Sequence, residues 1–434
     1  MEKHFDYDSN GILTIGGVSS FKLAKKYGTP IYVINLDEVE NRCKMITEIL
    51  KEVYPNSIAS YASKVFCCKG IYNTINKFDM HCDVVSGGEI ATVLKAKFPT
   101  QKVHFHGNNK TPQEINYALK NKIFNFVIDS TTDLDELAEN IKSNPKLKGK
   151  INVLVRVNPG VEAHTHEFVQ TSTTDSKFGV NIDGGDAEKF IVKVASYSDI
   201  NFLGLHFHIG SQIFDKEPYK LATKKVLDFI VNLKNKYNID TKVLNAGSGF
   251  AAWYTNKDPL FKREDYKKFI QTIAKEINFA VNKYNIVSPT LTIEPGRCIM
   301  AESGTTLYTV GNIKEIKGVR KYIAVDGGMF ESPRYALYGA DYTALKCKKE
   351  NMKTEKVTIV GKCCESGDIV IKDAKLEKVT KGDLIAVVST GAYHYSMASN
   401  YNRNCIPPVI AVKNGKAKVM IKGQSYNDLI KYDC

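Results

Sequence analysis

The sequence lacks several features that would assign a protein directly to a class. Its 434 residues contain no apolar run long enough to span a membrane and no C-x-x-C pair typical of structural zinc. No G-x-G-x-x-G follows the first predicted strand, which disfavours dinucleotide binding. Residues 1–17 hold no apolar stretch, so we expect no secretory signal and a cytoplasmic protein.

Clustered positive charge is also missing, although the formal net charge is +13. Basic residues stand singly or in pairs among acidic and apolar residues, as at Lys25-Lys26, Lys224-Lys225 and Lys348-Lys349. This distribution predicts a solvated surface and neither a nucleic-acid nor a membrane partner. The 10 cysteines are scattered and include adjacent pairs, which predicts free thiols in a reducing compartment.

A strand-then-helix pattern recurs between residues 57 and 297. Short apolar runs rich in β-branched residues alternate with amphipathic stretches of helical period. The runs are Ile58–Lys64, Cys82–Ser86, Val103–Gly107, Phe126–Ser130, Ile151–Asn158, Phe202–Gly210, Val243–Gly249 and Leu291–Arg297. Eight such units predict an α/β fold with a (β/α)8 TIM barrel.

Helical periods nearly vanish after Arg297, where short strand-like runs are separated by turns. This texture predicts an all-β C-terminal domain. The opening segment is also strand-like at Ile12–Ile15 and Ile31–Ile34, so we expect it to join that domain. The predicted organisation is an N-terminal segment at 1–38, a barrel at 39–297 and a β domain at 298–434.

Polar residues end the predicted barrel strands, where the active sites of barrel enzymes lie. Lys64 ends the first run, and a lysine there can form a Schiff base, although a surface lysine is the ordinary alternative. The Gly247-Ser248-Gly249 turn after the seventh run and Glu294-Pro295-Gly296-Arg297 after the eighth offer backbone amides to an anion. An amine with a phosphate site predicts pyridoxal 5′-phosphate as the cofactor.

Three His-x-His pairs support a rival hypothesis, a metal-dependent hydrolase. The pairs are His104/His106, His164/His166 and His206/His208. Against a metal site, the second pair lies in a polar loop and no aspartate ends the eighth run. We therefore predict no metal, and under the cofactor hypothesis His206 or His208 would stack on the pyridine ring.

A family resemblance emerges from the ordered motifs along residues 10–434. The sequence resembles diaminopimelate decarboxylases of the fold-type III pyridoxal-phosphate family, which pair an alanine-racemase-like barrel with a β domain. The matching segments are 61–64 (YASK), 83–89 (DVVSGGE), 106–110 (HGNNK), 156–161 (RVNPGV), 164–166 (HTH), 177–179 (KFG), 206–212 (HFHIGSQ), 294–297 (EPGR), 364–368 (CESGD) and 396–402 (SMASNYN).

The resemblance implies cofactor roles for matching positions. Lys64 would form the Schiff base, His206 would stack on the ring, and Glu294 would pair with the pyridine nitrogen and so favour decarboxylation. The phosphate would bind Ser211, the turn Gly247, Ser248 and Gly249, the backbone of Glu294, Gly296 and Arg297, and Tyr393. One departure is visible, because the family usually has Gly-Gly-Gly-Phe-Gly where this chain has Gly247-Ser248-Gly249-Phe250-Ala251.

The resemblance also implies the substrate and the assembly. Arg297, Arg334, Tyr338, Glu365 and Tyr393 would bind meso-2,6-diaminopimelate, two arginines suiting its far carboxylate. Cys364 would donate the proton across the interface of a homodimer with shared active sites, yielding L-lysine in the last step of lysine biosynthesis. Taken alone, the Cys364–Glu365 pair favours the interpretation as a small buried thiol beside a surface acid over that as a proton donor. The alternative within the class is a decarboxylase of another diamino acid, of the ornithine or lysine type.

Overall fold

Eight parallel strands form a closed barrel, which confirms the predicted fold class. A computed structural model of the chain describes residues 5–161, 175–350 and 352–434. Each barrel strand pairs with the next in chain order, and the eighth pairs with the first. The strands are β1 Ser57–Ala62, β2 His81–Val84, β3 Val103–Phe105, β4 Asn125–Ile128, β5 Ile151–Asn158, β6 Ile200–His206, β7 Val243–Asn245 and β8 Thr290–Ile293.

Helices follow the strands, and small polar residues fix where several of them begin. Ser86 and Ser130 each accept a backbone N–H from the third helical residue, and Thr111 forms a capping box with Glu114. These caps come two or more residues after a strand ends, so chain direction changes there at low cost. The helices are Leu36–Val53, Lys69–Ile75, Gly87–Lys95, Pro112–Lys120, Thr131–Ser143, Asp186–Ser196, Glu217–Tyr237, Arg263–Tyr284 and Arg297–Met300.

A second, mostly antiparallel sheet contains the N-terminal strand. Ile31–Asn35 pairs antiparallel with Gly304–Ile316 and parallel with Val409–Lys413. The N-terminal segment therefore belongs to the β part of the protein, as predicted. The other strands are Thr14–Ile15, Val18–Ser19, Val180–Asn181 (paired with β5), Arg320–Val325, Ala344–Lys346, Thr354–Val360, Ile369–Glu377, Leu384–Val388 and Lys416–Ile421, and the remaining helices are Ser20–Tyr27, Arg334–Tyr338 and Tyr426–Ile430.

Apolar residues from both ends of the chain make the core of this sheet. Leu13 and Val33 from the N-terminal segment pack in one cluster with Leu307 and Ile410. Each fully buried aliphatic side chain stabilises the fold by about 1.5–3 kcal/mol relative to its exposed state. The N-terminal segment is thus held by burial as well as by strand pairing.

The chain divides into two compact units. One comprises residues 1–42, 252–260 and 298–434, and the other comprises residues 43–251 and 261–297. The short excursion at 252–260 carries no signal in the sequence pattern. The boundaries 1–38, 39–297 and 298–434, taken as those of domains, stay a prediction. Within the described residues, no helix is long and apolar enough to cross a membrane, and no disulfide joins the cysteines.

Replacing Val33 by alanine tests the role of the N-terminal strand. Val33 is fully buried, so V33A should lower the free energy of unfolding by about 2 kcal/mol through lost burial and a new cavity. The control V319A removes the same atoms from a side chain that is 74% exposed and should change stability little. The urea midpoints of the two variants measure the difference, and equal midpoints would contradict this account.

Candidate active site

A cavity of about 330 Å³ lies at the carboxyl ends of the barrel strands. Its lining includes Lys64, Asp83, His106, Arg156, His206 and Glu294. These residues come from six different strand ends, which is how barrel enzymes assemble their sites. The predicted residues Lys64, His206 and Glu294 are therefore brought together.

Both carboxylate oxygens of Glu294 have hydrogen-bonding partners in this cavity. Asn245 Nδ2 donates to its Oε1 at 2.6 Å, while Nε2 of His206 lies 3.3 Å from its Oε2. His106 Nε2 lies 3.4 Å from Oε1. Burial on its own would raise the pKa of Glu294, but His206 and His106 together outweigh it and hold the pKa well below its usual value. Glu294 is consequently a carboxylate at neutral pH.

Asp83 is the opposite case in the same cavity. It is buried on β2 and accepts a hydrogen bond from Ser60 Oγ at 2.5 Å. Burial, followed by the negative charge of Glu294, raises the pKa of Asp83 well above its ordinary value. The pKa values of the two carboxyl groups are therefore shifted in opposite directions, because burial and the charge of Glu294 disfavour a second anion in this cavity.

In the turn after β7, the two glycine positions leave no room for a side chain. Gly247 and Gly249 have φ of +61° and +122°, and a Cβ on Gly249 would lie 2.1 Å from the carbonyl oxygen of Gly210. The amide of Gly247 donates to Asn245 Oδ1 at 3.0 Å, and the amide of Ser248 donates to His208 Nδ1 at 3.3 Å. The turn is thus a rigid backbone surface beside the cavity, and its phosphate role stays a prediction.

Ser211 and Arg297 meet on the same face of the barrel unit. Arg297 Nε donates to Ser211 Oγ at 3.0 Å, and Arg297 is buried. Gly296 precedes it against Ala62, whose Cβ would be 2.9 Å from an added Cβ. Ser211, Gly296 and Arg297, which are predicted to bind the phosphate, therefore lie where the backbone is closely packed.

The histidine pairs differ in whether both of their members line the cavity. His206 and His208 both line the cavity, whereas of the first pair His106 lines it and His104 contacts His81, with ring nitrogens 2.9 Å apart. The pair His164/His166 lies outside the described residues. His106, His206 and Glu294 place three ligand-type atoms within 4.8 Å, so the metal hypothesis keeps a geometric basis among the described residues.

The residues present fit pyridoxal phosphate. The cavity volume of about 330 Å³ falls in the range of small-molecule sites, and it combines an amine, a carboxylate and imidazoles. Nδ1 of His206 is buried and has no hydrogen-bond partner within the described residues. A buried polar atom of this kind is left for a group that the protein itself does not supply.

A second cluster lies in the β unit around Arg334. Its guanidinium lies over the rings of Tyr338 and Tyr393, at 5.0 and 5.1 Å from the centroids, and its Nε donates to the Tyr342 hydroxyl at 2.8 Å. Three of the predicted substrate residues therefore meet in one place.

The Cys364–Glu365 pair lies in a loop between strands Thr354–Val360 and Ile369–Glu377. Both side chains are exposed, which excludes the interpretation of Cys364 as a small buried thiol. The Cys364 amide donates to Asn402 Oδ1 at 2.9 Å, and the Tyr401 hydroxyl donates to Glu365 Oε2 at 3.3 Å. The loop thus presents a thiol and an acid to solvent on a supported backbone.

Two residues of the barrel site were not selected from the sequence. Asp83 falls inside the matching segment 83–89, and Asn245 lies two residues before Gly247 of the glycine turn. Both were detectable as polar residues near the ends of predicted strands. Their roles depend on hydrogen bonds to Ser60 and Glu294, which no linear pattern shows.

Comparisons with known proteins identify the family. Residues 36–301 match the family described as "Pyridoxal-dependent decarboxylase, pyridoxal binding domain". A diaminopimelate decarboxylase of Staphylococcus aureus is 44% identical, with 98% of this chain and 99% of the relative covered. The corresponding Bacillus subtilis protein is 42% identical, with 98% and 96% covered. The chain belongs to the diaminopimelate decarboxylase family.

A solved structure supports the same assignment. The diaminopimelate decarboxylase of M. jannaschii in co-complex with L-lysine is 32% identical, with a TM-score of 0.90 and coverage of 98% of this chain and 96% of that chain. The protein is thus a pyridoxal-phosphate-dependent carboxy-lyase with the fold-type III architecture. The metal-dependent hydrolase hypothesis is not supported by this family.

Glu331 is buried and lies close to Arg334 in the sequence. Its titration should make the free energy of unfolding depend on pH. Tyr308 donates to its Oε1 at 2.6 Å, and burial raises its pKa from 4.5 to about 8. The folded state therefore keeps a proton that the unfolded state loses between about pH 4.5 and 8, so stability falls as pH rises, by about 1.4 kcal/mol per unit for this group.

The variant E331Q should remove that part of the pH dependence, because a neutral amide replaces the protonated acid. Urea midpoints measured from pH 5 to 8 give the slope, with E139Q at an exposed site as control. An unchanged slope in E331Q would contradict the assignment.

Proposed function

We propose that this protein decarboxylates meso-2,6-diaminopimelate to L-lysine and CO2, the last step of lysine biosynthesis. The observation that carries the proposal is the near-complete coverage of relatives named for this activity at 42–44% identity. The M. jannaschii relative was solved in co-complex with L-lysine, which supports lysine as the product. The barrel site provides the chemistry that such a reaction needs.

Lys64 would bind the cofactor covalently through its amine. It follows β1 in a single 3-10 turn, Ser63–Val65, whose flanking residues are buried. The surrounding turn therefore fixes the backbone position from which the amine reaches the cavity. Pyridoxal phosphate, when bound, supplies an electron sink for the pair left behind as CO2 departs.

Glu294 would serve as the partner of the pyridine nitrogen. Its ionised state, kept by His206 and by the amide of Asn245, holds a proton at that nitrogen. His206 would stack on the ring, a position consistent with its burial and its place in the cavity. The charges of these residues are in place before the substrate binds, so the site would need no electrostatic rearrangement during the reaction.

The phosphate would bind at backbone surfaces. Ser211, Gly247, Ser248, Gly249, Glu294, Gly296, Arg297 and Tyr393 are the residues that we assign to it. Gly249 and Gly296 are required by the packing of the protein itself, since a Cβ at either position would lie within 3 Å of protein atoms. Arg297 brings positive charge and already binds Ser211.

Substrate selection would follow charge. Arg297 and Arg334 suit the carboxylate at the far end of diaminopimelate, whereas they would repel the terminal ammonium of ornithine or lysine. Tyr338 and Tyr393 hold the Arg334 guanidinium between aromatic rings, which limits the directions in which it can donate. Glu365 would accept the distal amino group.

Cys364 would return a proton to the carbon that loses CO2. Its exposure fits a role toward a site completed by a second chain, with Cys364 of the partner subunit serving each Lys64. The proposal therefore includes a homodimer with shared active sites and a cytoplasmic location.

Substrate comparison tests the reaction. CO2 release from meso-diaminopimelate should exceed that from L-ornithine or L-lysine at least about 100-fold, because the monoacids leave buried arginines unpaired. The variant R334M should lose activity mainly with the dicarboxylic substrate. Faster turnover of either monoacid by the unaltered enzyme would overturn the proposal in favour of an ornithine- or lysine-type decarboxylase.

Complementation tests the shared site. K64A and C364A should each be inactive alone, and an equal mixture should recover about a quarter of the original activity after subunit exchange, since half the dimers then hold one intact site. Size-exclusion chromatography with light scattering verifies the dimers. Failure to recover in dimers that demonstrably exchange would show that Lys64 and Cys364 act within one chain.

A further inference from the structure

We propose that Asp368 is a positioning residue whose carboxylate ties the Cys364 loop to the turn that leads into Arg334. The proton donor and the substrate arginine would then be held by one side chain. The inference rests on the roles proposed above for Cys364 and Arg334. It assigns a task to the last residue of the segment 364–368, which the proposed reaction does not use.

The two oxygens of Asp368 serve two different segments. Oδ2 accepts the backbone N–H of Cys363 at 2.6 Å, and Oδ1 accepts the backbone N–H of Met329 at 2.6 Å. Asp368 is only 4% exposed, so both bonds lie out of competition with water. A charged acceptor makes such bonds stronger than neutral ones.

The joined segments touch without a side chain between them. A Cβ on Gly361 would lie 2.3 Å from Cα of Gly328, and the Lys362 amide donates to the Gly327 carbonyl at 3.0 Å. The Asp368 carboxylate therefore reinforces a contact that the two backbones already make, and its loss would loosen both segments.

The turn at Gly328 continues directly to the substrate arginine. The amides of Glu331 and Ser332 donate to the Gly328 carbonyl at 3.1 and 2.9 Å, and the Gly328 amide donates to Glu331 Oε1 at 3.2 Å. Helix Arg334–Tyr338 begins after Pro333. Arg334 follows Met329 by five residues, and the hydrogen-bonded turn between them would pass a shift of the Met329 amide on to the start of the helix.

On the other side, Asp368 is the buried anchor of an otherwise exposed loop. Residues 364–367 are exposed, and their contact with Asn402 is at the surface. The hydrogen bond from the Cys363 amide to Asp368 is thus the attachment to a buried side chain that lies nearest in sequence to Cys364.

The chemistry of the site requires a carboxylate. Asparagine has the same shape but one acceptor oxygen, and either orientation of its amide would point N–H donors at the amide of Cys363 or of Met329. The variant D368N therefore loses one bond and buries an unpaired donor, while it adds no volume.

Amide hydrogen exchange and steady-state kinetics on the holoenzyme test the proposal. In D368N, exchange should accelerate about tenfold or more in both segments, 327–330 and 361–366, together. The value of kcat should fall through Cys364 and KM for diaminopimelate should rise through Arg334, lowering kcat/KM at least about tenfold. The control D373N alters an exposed acid of the strand that follows and should change neither.

A second variant covers the case in which D368N does not fold. G361A forces the same two backbones apart and should give the same paired exchange response. Acceleration in one segment alone, or in neither, overturns the proposal for whichever variant is folded. An active C364A would instead refute the proposed function, whereas the paired exchange response still decides the role of Asp368.

Discussion

The pairing of the eighth barrel strand with the first is the contact on which the site depends. Lys64 follows β1 and Glu294 follows β8, residues that are 230 positions apart in the sequence. Leu291 pairs with Ser57, and the amide of Ala62, the last residue of β1, donates to the carbonyl of Pro295 after β8 at 3.3 Å. Closure therefore places the amine and the acid of the site on adjacent strand ends, which an open sheet would leave on opposite edges.

The second constraint is electrostatic, because closure crowds several titratable groups into one buried cavity. The protein resolves the crowding by giving each carboxyl group its own environment. Glu294 receives the amide of Asn245 and the imidazole of His206, whereas Asp83 receives a single hydroxyl and the repulsion of Glu294. Only the former is stabilised as an anion, which is the state that the role proposed for Glu294 beside a protonated ring nitrogen requires.

Much of this could be predicted from the sequence. All eight barrel strands were located, and the site residues Lys64, His206 and Glu294 were found because active sites gather at the carboxyl ends of barrel strands. The alternation of apolar runs with amphipathic stretches and the helical period are local properties of the sequence, and they suffice to locate the barrel strands. Asn245 and Asp83 escaped because their roles arise from a neighbour on another strand.

The same limit explains what the pattern missed in the β unit. The excursion of residues 252–260 into that unit has no periodic signature, and the bonds of Asp368 join amides 39 and 5 residues away in sequence. Hydrogen bonds to backbone amides leave no trace in residue type beyond the acceptor itself. The resemblance supplied the segment 364–368 as a whole, and only the structure separates its members into exposed chemistry and buried support.

The placement of the N-terminal strand has a consequence for how the enzyme forms. Ile31–Asn35 lies between Gly304–Ile316 and Val409–Lys413, so this part of the sheet is incomplete until nearly the whole chain exists. Its core includes both Leu13 and Val412, so the chain has to form a loop that contains the entire barrel sequence before these residues meet. Closing such a long loop is slow because the chain loses conformational entropy before the contacts form. The barrel strands pair with their sequence neighbours except at closure and can form first. We therefore expect Arg334 and Cys364, assigned to substrate and proton transfer, to be set in place after the barrel residues Lys64, His206 and Glu294 assigned to the cofactor.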